Sequence, residues 1–208
     1  MVPRFFVPRK TVVFYIFKGG YMDIENKNPL IYLISGKARH GKDTTANIMK
    51  DYYEQRGDKV IILQYSSYIK EYAKKISNWD GSEETKPRQL LQQLGTDVIR
   101  KKIDSLFFVD AMLKDFKVYS YFFDVIIVSD VRTPEEIEYP KNNFNNVNAF
   151  NIIRVNFDNG LTEEQRKHYT EIALDNYNKF DYIVMNDGTI EDLKNKVNKI
   201  LEAIKNES

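Results

Sequence analysis

Gly36-Lys37-Ala38-Arg39-His40-Gly41-Lys42 follows the apolar run Leu30–Ile34 directly and opens an amphipathic, helix-patterned stretch. Two glycines at this spacing let the backbone curl so that successive N–H groups point inward, toward a phosphate. The helix that follows adds the partial positive charge of its N-terminus. Strand, loop and helix in that order commit this part of the chain to an α/β unit with a buried strand. The spacing Gly-x-x-x-x-Gly-Lys is that of a Walker A loop. In such a loop Lys42 reaches the β- and γ-phosphates of ATP as a point charge, and Gly36, Lys37, Ala38, Arg39, His40 and Gly41 form the cradle. After the lysine the motif wants Ser or Thr to ligate magnesium, whereas this chain has Asp43, followed by Thr44 and Thr45. Asp43 can hold Mg2+ directly or through water, leaving Thr44 to touch the α-phosphate, with Thr45 beside it. The bland alternative is a glycine-containing strand–helix turn with a chance lysine.

From Leu30 onward, apolar runs alternate with helical patterns, the rhythm of an α/β fold with a mainly parallel sheet. The runs Leu30–Ile34, Val60–Leu63, Val125–Val128, Phe150–Val155 and Tyr182–Met185 read as five short buried strands. Helix starts are marked by Thr133-Pro134-Glu135-Glu136, by Thr162-Glu163-Glu164-Gln165 and by Thr189. The last helix carries an apolar stripe of Ile190, Leu193, Val197, Ile200, Leu201 and Ile204. Roughly 60 residues separate the second and third strands, too many for a simple crossover, so two or three helices are expected there. One of these begins at Pro87 with Leu90, Leu91, Leu94 and Val98 on one face. Asn142–Asn148 reads as a surface loop. The expected architecture is a three-layer α/β P-loop fold with a five-stranded, mainly parallel sheet. It carries a helical substrate-binding insert at about 66–122 and a small lid at about 156–176.

Residues 1–21 are expected to be a translated leader and 22–208 a single kinase-sized domain. Lys18-Gly19-Gly20 is compatible with the codons of a ribosome-binding site just ahead of Met22. That hypothesis fails if an N-terminal peptide containing Arg4 or Arg9 is found by mass spectrometry. Val12–Phe17 is apolar but too short to span a bilayer. A formal net charge of +1 argues against a dedicated nucleic-acid binder. With no cysteine and only His40 and His168 as histidines, disulfides, thiolate sites and histidine-rich metal sites are excluded. This fits a cytoplasmic protein that needs neither membrane nor nucleic acid.

At Gly41-Lys42-Asp43-Thr44-Thr45-Ala46 the chain resembles the deoxynucleoside monophosphate kinases of tailed bacteriophages and their bacterial relatives. In that family an aspartate after the loop lysine is normal. Four further segments are similar to the family in the expected order. They are Arg88–Arg100 (RQLLQQLGTDVIR), Ser129–Glu136 (SDVRTPEE), His168–Asp175 (HYTEIALD) and Phe180–Thr189 (FDYIVMNDGT). Where the family often has tryptophan after the substrate-side helix, this chain has Phe107 and Phe108. Where it places a basic residue just after the fourth strand, Arg154 is read here inside that strand.

The resemblance implies ATP and Mg2+ as cofactors, a nucleoside monophosphate as small-molecule substrate, and dimers as a common state. Transfer between two anions requires cations that bring them together and neutralise their charge. Arg132, just past a strand end, is the first candidate, against a surface ion pair with Glu135 or Glu136. Asp130 at the same strand end would orient magnesium or a water, or brace Lys42; a plain turn residue is the alternative. Lys70, Arg88, Gln92 and Arg100 in the insert would receive the monophosphate, or simply form a solvated helix face. Arg166 is placed as a lid arginine for the transferring phosphoryl group, beside His168 at a helix start. Glu171 would accept a substrate hydroxyl, fix a lid arginine, or make an ordinary salt bridge. Asn186 and Gly188 shape the turn beside the adenine. Two other readings stay open: a kinase resembling dephospho-coenzyme A kinase, and a non-catalytic ATP-binding module favoured by Asp43.

Overall fold

A computed structural model describes residues 24–207, so the expected leader at 1–21 lies outside the described residues. Five strands form one sheet: β1 (Leu30–Ser35), β2 (Val60–Leu63), β3 (Val125–Val131), β4 (Val147–Ile153) and β5 (Tyr182–Met185). Their spatial order is β2-β3-β1-β4-β5, and every neighbouring pair is parallel. Parallel neighbours need long crossovers, so helices cover both faces and the strands are mostly apolar, with Ser129 and Asp130 in β3 and Asn148 and Asn151 in β4 as interruptions.

The alternation of side chains along β1 sorts the core into two layers. Tyr32 and Ile34 pack with α1 (Lys42–Glu54) and α8 (Ile190–Glu207) through Met49, Val197 and Leu201. Ile31 and Leu33 face the other side, against residues of α2 (Tyr65–Ser77), α4 (Phe107–Tyr119) and α5 (Glu135–Asn143), among them Tyr65, Phe108 and Ile137. Between α2 and α4 run α3 (Arg88–Gln92) and an unusual π-helix over Gln93–Ile103. After β4 come two single-turn helices, α6 (Glu163–Arg166) and α7 (Tyr169–Ile172).

Several boundaries differ from the sequence reading. β4 begins at Val147 and stops at Ile153, so Arg154 stands just past the strand end rather than inside it. Pairing of Ile31 with Val147 and of Tyr32 with Asn148 draws the end of the asparagine-rich stretch into the sheet, because ladder bonds come from the backbone. In the π-helix the i→i+5 spacing, seen in Asp104 N–H to the Ile99 carbonyl at 2.9 Å, turns the apolar face. Ile99 is buried, while Val98, expected on the core face, is 37% exposed. Ile190 stands off the α8 stripe at 72% exposure; Leu193, Val197, Leu201 and Ile204 are buried as expected. Among the described residues no helix is long and apolar enough to cross a membrane.

One consequence of an all-parallel sheet is that every strand ends at the same edge. Gly36, Gln64, Arg132, Arg154 and Asn186 therefore follow β1 to β5 along one rim, where open α/β sheets bind ligands.

Candidate functional site

The loop between β1 and α1 has the backbone its glycines predict. Gly36 and Gly41 have φ of 147° and 99°, and Arg39 shares the left-handed region at 61°. A Cβ on Gly36 would lie 2.5 Å from the Ile152 carbonyl oxygen, which as backbone cannot step aside. The opposite flank is held by Asn186, whose Nδ2 donates to the His40 carbonyl at 2.9 Å. Lys42 opens α1 at 8% exposure, its Nζ donating to the carbonyls of Gly36 and Lys37, both at 2.9 Å. Burial pushes the Lys42 ammonium down to about 8, and the Arg132 charge adds to the effect. Thr44 is half-buried, whereas Thr45 is fully buried with its hydroxyl turned back to the Gly41 carbonyl at 3.0 Å. Asp43 Oδ1 accepts from Ser129 Oγ at 3.0 Å and from Gln64 Nε2 at 3.4 Å.

β3 supplies the next two groups. Asp130 caps α2: Oδ1 accepts from Tyr65 N–H at 2.7 Å and Oδ2 from Ser66 N–H at 2.9 Å. Its carboxylate thus satisfies two of the orphan donors of that helix and meets the positive end of its dipole. Arg132 pairs through Nη1 with Glu171 Oε1 at 2.8 Å, rather than with Glu135 or Glu136 as a local ion pair. Glu136 is instead 1% exposed. Its Oε2 accepts from Arg132 N–H at 2.7 Å and Thr133 N–H at 3.3 Å, while Oε1 pairs with Arg100 Nη2 at 2.8 Å. Burial raises the Glu136 carboxyl to about 7, against the pull of Arg100. Only the capping-box position of Glu136 was legible beforehand, and half of that box forms.

A cleft of about 510 Å³ gathers most of the expected residues. Lys42, Asp43, Asp130 and Arg132 from the core line it together with Lys70, Arg88, Gln92, Arg100, Glu171 and Arg39. Arg88 is exposed, with Glu83 3.8 Å away. Arg166 is not among the lining residues; it pairs with Asp158 at 2.7 Å and borders a neighbouring hollow with Lys37 and Glu171. His168 does line the cleft, caps α7, and its Nε2 lies 3.5 Å from Thr96 Oγ1 of the π-helix. Burial lowers the His168 pKa.

The segment carrying α7 rests on the phosphate loop. Lys37 Nζ donates to the Glu171 carbonyl and to Asp175, and Ala38 N–H points at Glu171 Oε2 at 3.4 Å. The Arg154 guanidinium lies 4.0 Å over the Phe157 ring, which the His40 ring meets edge-on at 6.4 Å. Gly188 is exposed, next to the Asp192 carboxylate. Phe157 was not singled out from the sequence; an aromatic in a loop gives no signal until its cation is in place.

Among the described residues no group of three or more His, Cys, Asp or Glu side chains is assembled to hold a metal. The Asp43 carboxylate with the Ser129 hydroxyl is a hard oxygen pair, which suits magnesium completed by phosphate oxygens and water.

A family model described as deoxynucleotide monophosphate kinase matches residues 51–197, a stretch that begins after the phosphate loop. The deoxynucleotide monophosphate kinase of Escherichia phage RB69 is 31% identical over 115 residues, 55% of this chain and 44% of that protein. The match thus spans less than half the relative's length. Shikimate kinase from Aquifex aeolicus vf5 superposes on 84% of this chain and 97% of its own, at 15% identity and a TM-score of 0.48. Dephospho-CoA kinase from Campylobacter jejuni superposes on 85% and 98%, at 16% identity and a TM-score of 0.47.

Proposed function

The chain belongs to the deoxynucleotide monophosphate kinase family, and on that premise we propose that it transfers the γ-phosphoryl group of ATP to a deoxynucleoside monophosphate. One observation carries the reading: a single cleft has the phosphate loop on one wall and insert cations on the other. In the reaction an oxygen of the acceptor phosphate bonds to the γ-phosphorus as the bond to the ADP bridging oxygen breaks. The protein's task is to hold two anions in line and neutralise their charge.

Lys42 is the ligand of the β- and γ-phosphates, and the loop amides from Gly36 to Gly41 bind the phosphates by their N–H groups. Arg132 faces the transferring group from the end of β3. Arg100, Lys70 and Arg88 bring the acceptor phosphate in, Gln92 contacts its base or sugar, and Asn186 and Gly188 flank the adenine. Asp43, with Thr44 and Ser129 nearby, would hold magnesium, which when bound neutralises phosphate charge. Asp130 acts mainly by holding α2, the helix that carries Lys70. Glu171 must leave the loop amide for a phosphate to take its place, and that movement would carry Arg166 toward the site as the lid arginine. The insert at about 66–122 and the lid at about 156–176 close on one substrate each. We place the reaction in the cytoplasm, which suits a cysteine-free chain.

The test is ADP release with ATP, magnesium and each ribo- and deoxyribonucleoside monophosphate in turn. Turnover with one or two deoxynucleotides supports the reading and names the acceptor. Tight ATP binding without turnover overturns it; dephospho-coenzyme A as acceptor would then be tried, and failure there leaves a non-catalytic ATP-binding module.

A further inference from the structure

Glu136 carries a charge into a place where stability alone does not call for one. The residue is 1% exposed, and both carboxylate oxygens are engaged. A buried ion pair is weak evidence for stability, because desolvation offsets the attraction and an apolar pair of similar size often does as well. What the pair does supply is geometry. Oε2 takes the N–H groups of Arg132 and Thr133, fixing the turn after β3. Oε1 takes Arg100 Nη2 at 2.8 Å from the π-helix, 36 positions away in sequence. The Glu136 carbonyl accepts from Tyr65 Oη at 3.4 Å, adding α2 to the same junction.

Arg100 is the cation that the insert contributes to this junction, and it lines the cleft together with Glu136, Arg132 and Tyr65. It lines both the 510 Å³ cleft and a second cavity of about 940 Å³, as Glu136 does, so the pair borders the two. Arg100 also lies 4.9 Å over the Phe108 ring, which holds the fork from one face. The Glu136 contact uses one of the fork's five donors, leaving a planar cation able to take phosphate oxygens.

Building on the kinase reading, we propose that Glu136 is a positioning residue for the acceptor: it aims Arg100 at the acceptor phosphate and ties the insert to the turn that carries Arg132. The ligand class is the monophosphate of a nucleoside, recognised by a guanidinium that a buried carboxylate keeps from swinging into the neighbouring cavity.

The experiment is steady-state kinetics at pH 8 on the full chain with ATP and the acceptor found active, for wild type, Glu136→Gln, Arg100→Met and the double variant. Glutamine keeps the size and a carbonyl acceptor for the backbone N–H groups but gives Arg100 no charge. Expected are an acceptor KM raised about tenfold or more, an ATP KM within about twofold of wild type, and a double variant no worse than Arg100→Met. An unchanged acceptor KM, equal movement of both KM values, or effects that multiply in the double variant overturns the proposal. Should Glu136→Gln fail to fold, Arg100→Met alone decides: an unchanged acceptor KM sinks the idea. If wild type turns over no acceptor, the kinase reading has failed separately. Calorimetric binding of a deoxynucleoside monophosphate to wild type and Glu136→Gln then reads the pairing directly. Absent or equal binding in the two overturns it.

Discussion

Lys42 is held uncomfortably. Burial has pushed it down to about 8, and its ammonium rests on two loop carbonyls. A bound phosphate would favour the charged form and raise that value again, so ATP binding should take up a proton at higher pH. The ATP dissociation constant is therefore expected to be flat below about pH 7.5 and to rise by up to tenfold per pH unit above pH 8; calorimetry across pH 6.5–9.5 checks it. Lys42→Ala should lower kcat by about a hundredfold or more in the ADP-release assay. Glu136 is shifted the other way, raised to about 7. A raised carboxyl binds its proton in the folded chain where the unfolded chain has lost it. Its contribution is thus present below the unfolded value and is lost as pH rises through 7. Wild type should lose on the order of 2–3 kcal/mol relative to Glu136→Gln between pH 4.5 and pH 8, read as urea midpoints. Neither partner choice was legible locally. Arg132 and Glu171 are 39 positions apart, and Arg100 and Glu136 are 36 apart, so only the folded chain decides these pairs.

At the scale of elements, α2 shows why local rules miss a site. Its N-cap is Gln64, which makes no side-chain cap bond, so the sequence there carries no start signal. The cap comes from Asp130, 65 positions on from Tyr65. Asp130→Asn should therefore cost about 1–2 kcal/mol in urea unfolding with no metal present. An aspartate serving only a cation would leave that measurement unmoved. The π-helix is a second case: the apolar face was legible as a pattern, but the wider turn moved burial from Val98 to Ile99. By contrast Thr162 and Gln165 form the reciprocal box their order announces, and Thr189 exchanges bonds with Asp192 at the start of α8. Caps supplied by neighbours in sequence can be read; caps supplied across the fold cannot.

The whole molecule was the most legible scale, since the alternation of apolar runs and helices leaves few arrangements besides a parallel sheet. Strand existence followed from Val, Ile and aromatic content, while the order β2-β3-β1-β4-β5 depends on crossovers that no single segment encodes. If the loop at Gly36 binds ATP as proposed, a non-hydrolysable analogue at a hundred times its dissociation constant should stabilise the fold by about 2.7 kcal/mol. For a chain of this size that is a rise in Tm of about 5–11 °C, measurable by calorimetry; no rise would mean that the folded chain does not bind the nucleotide. The central position of β1 also bears on how the chain is made. Both neighbours of β1 come later, Val125 in β3 and Val147 in β4 being the first residues to pair with it. On a ribosome adding about 5–20 residues per second, Leu30–Ser35 waits about 5–20 s for its first partner. During that interval the backbone of β1 has no strand to pair with, and α1 is the element at hand to cover one face of its apolar side chains.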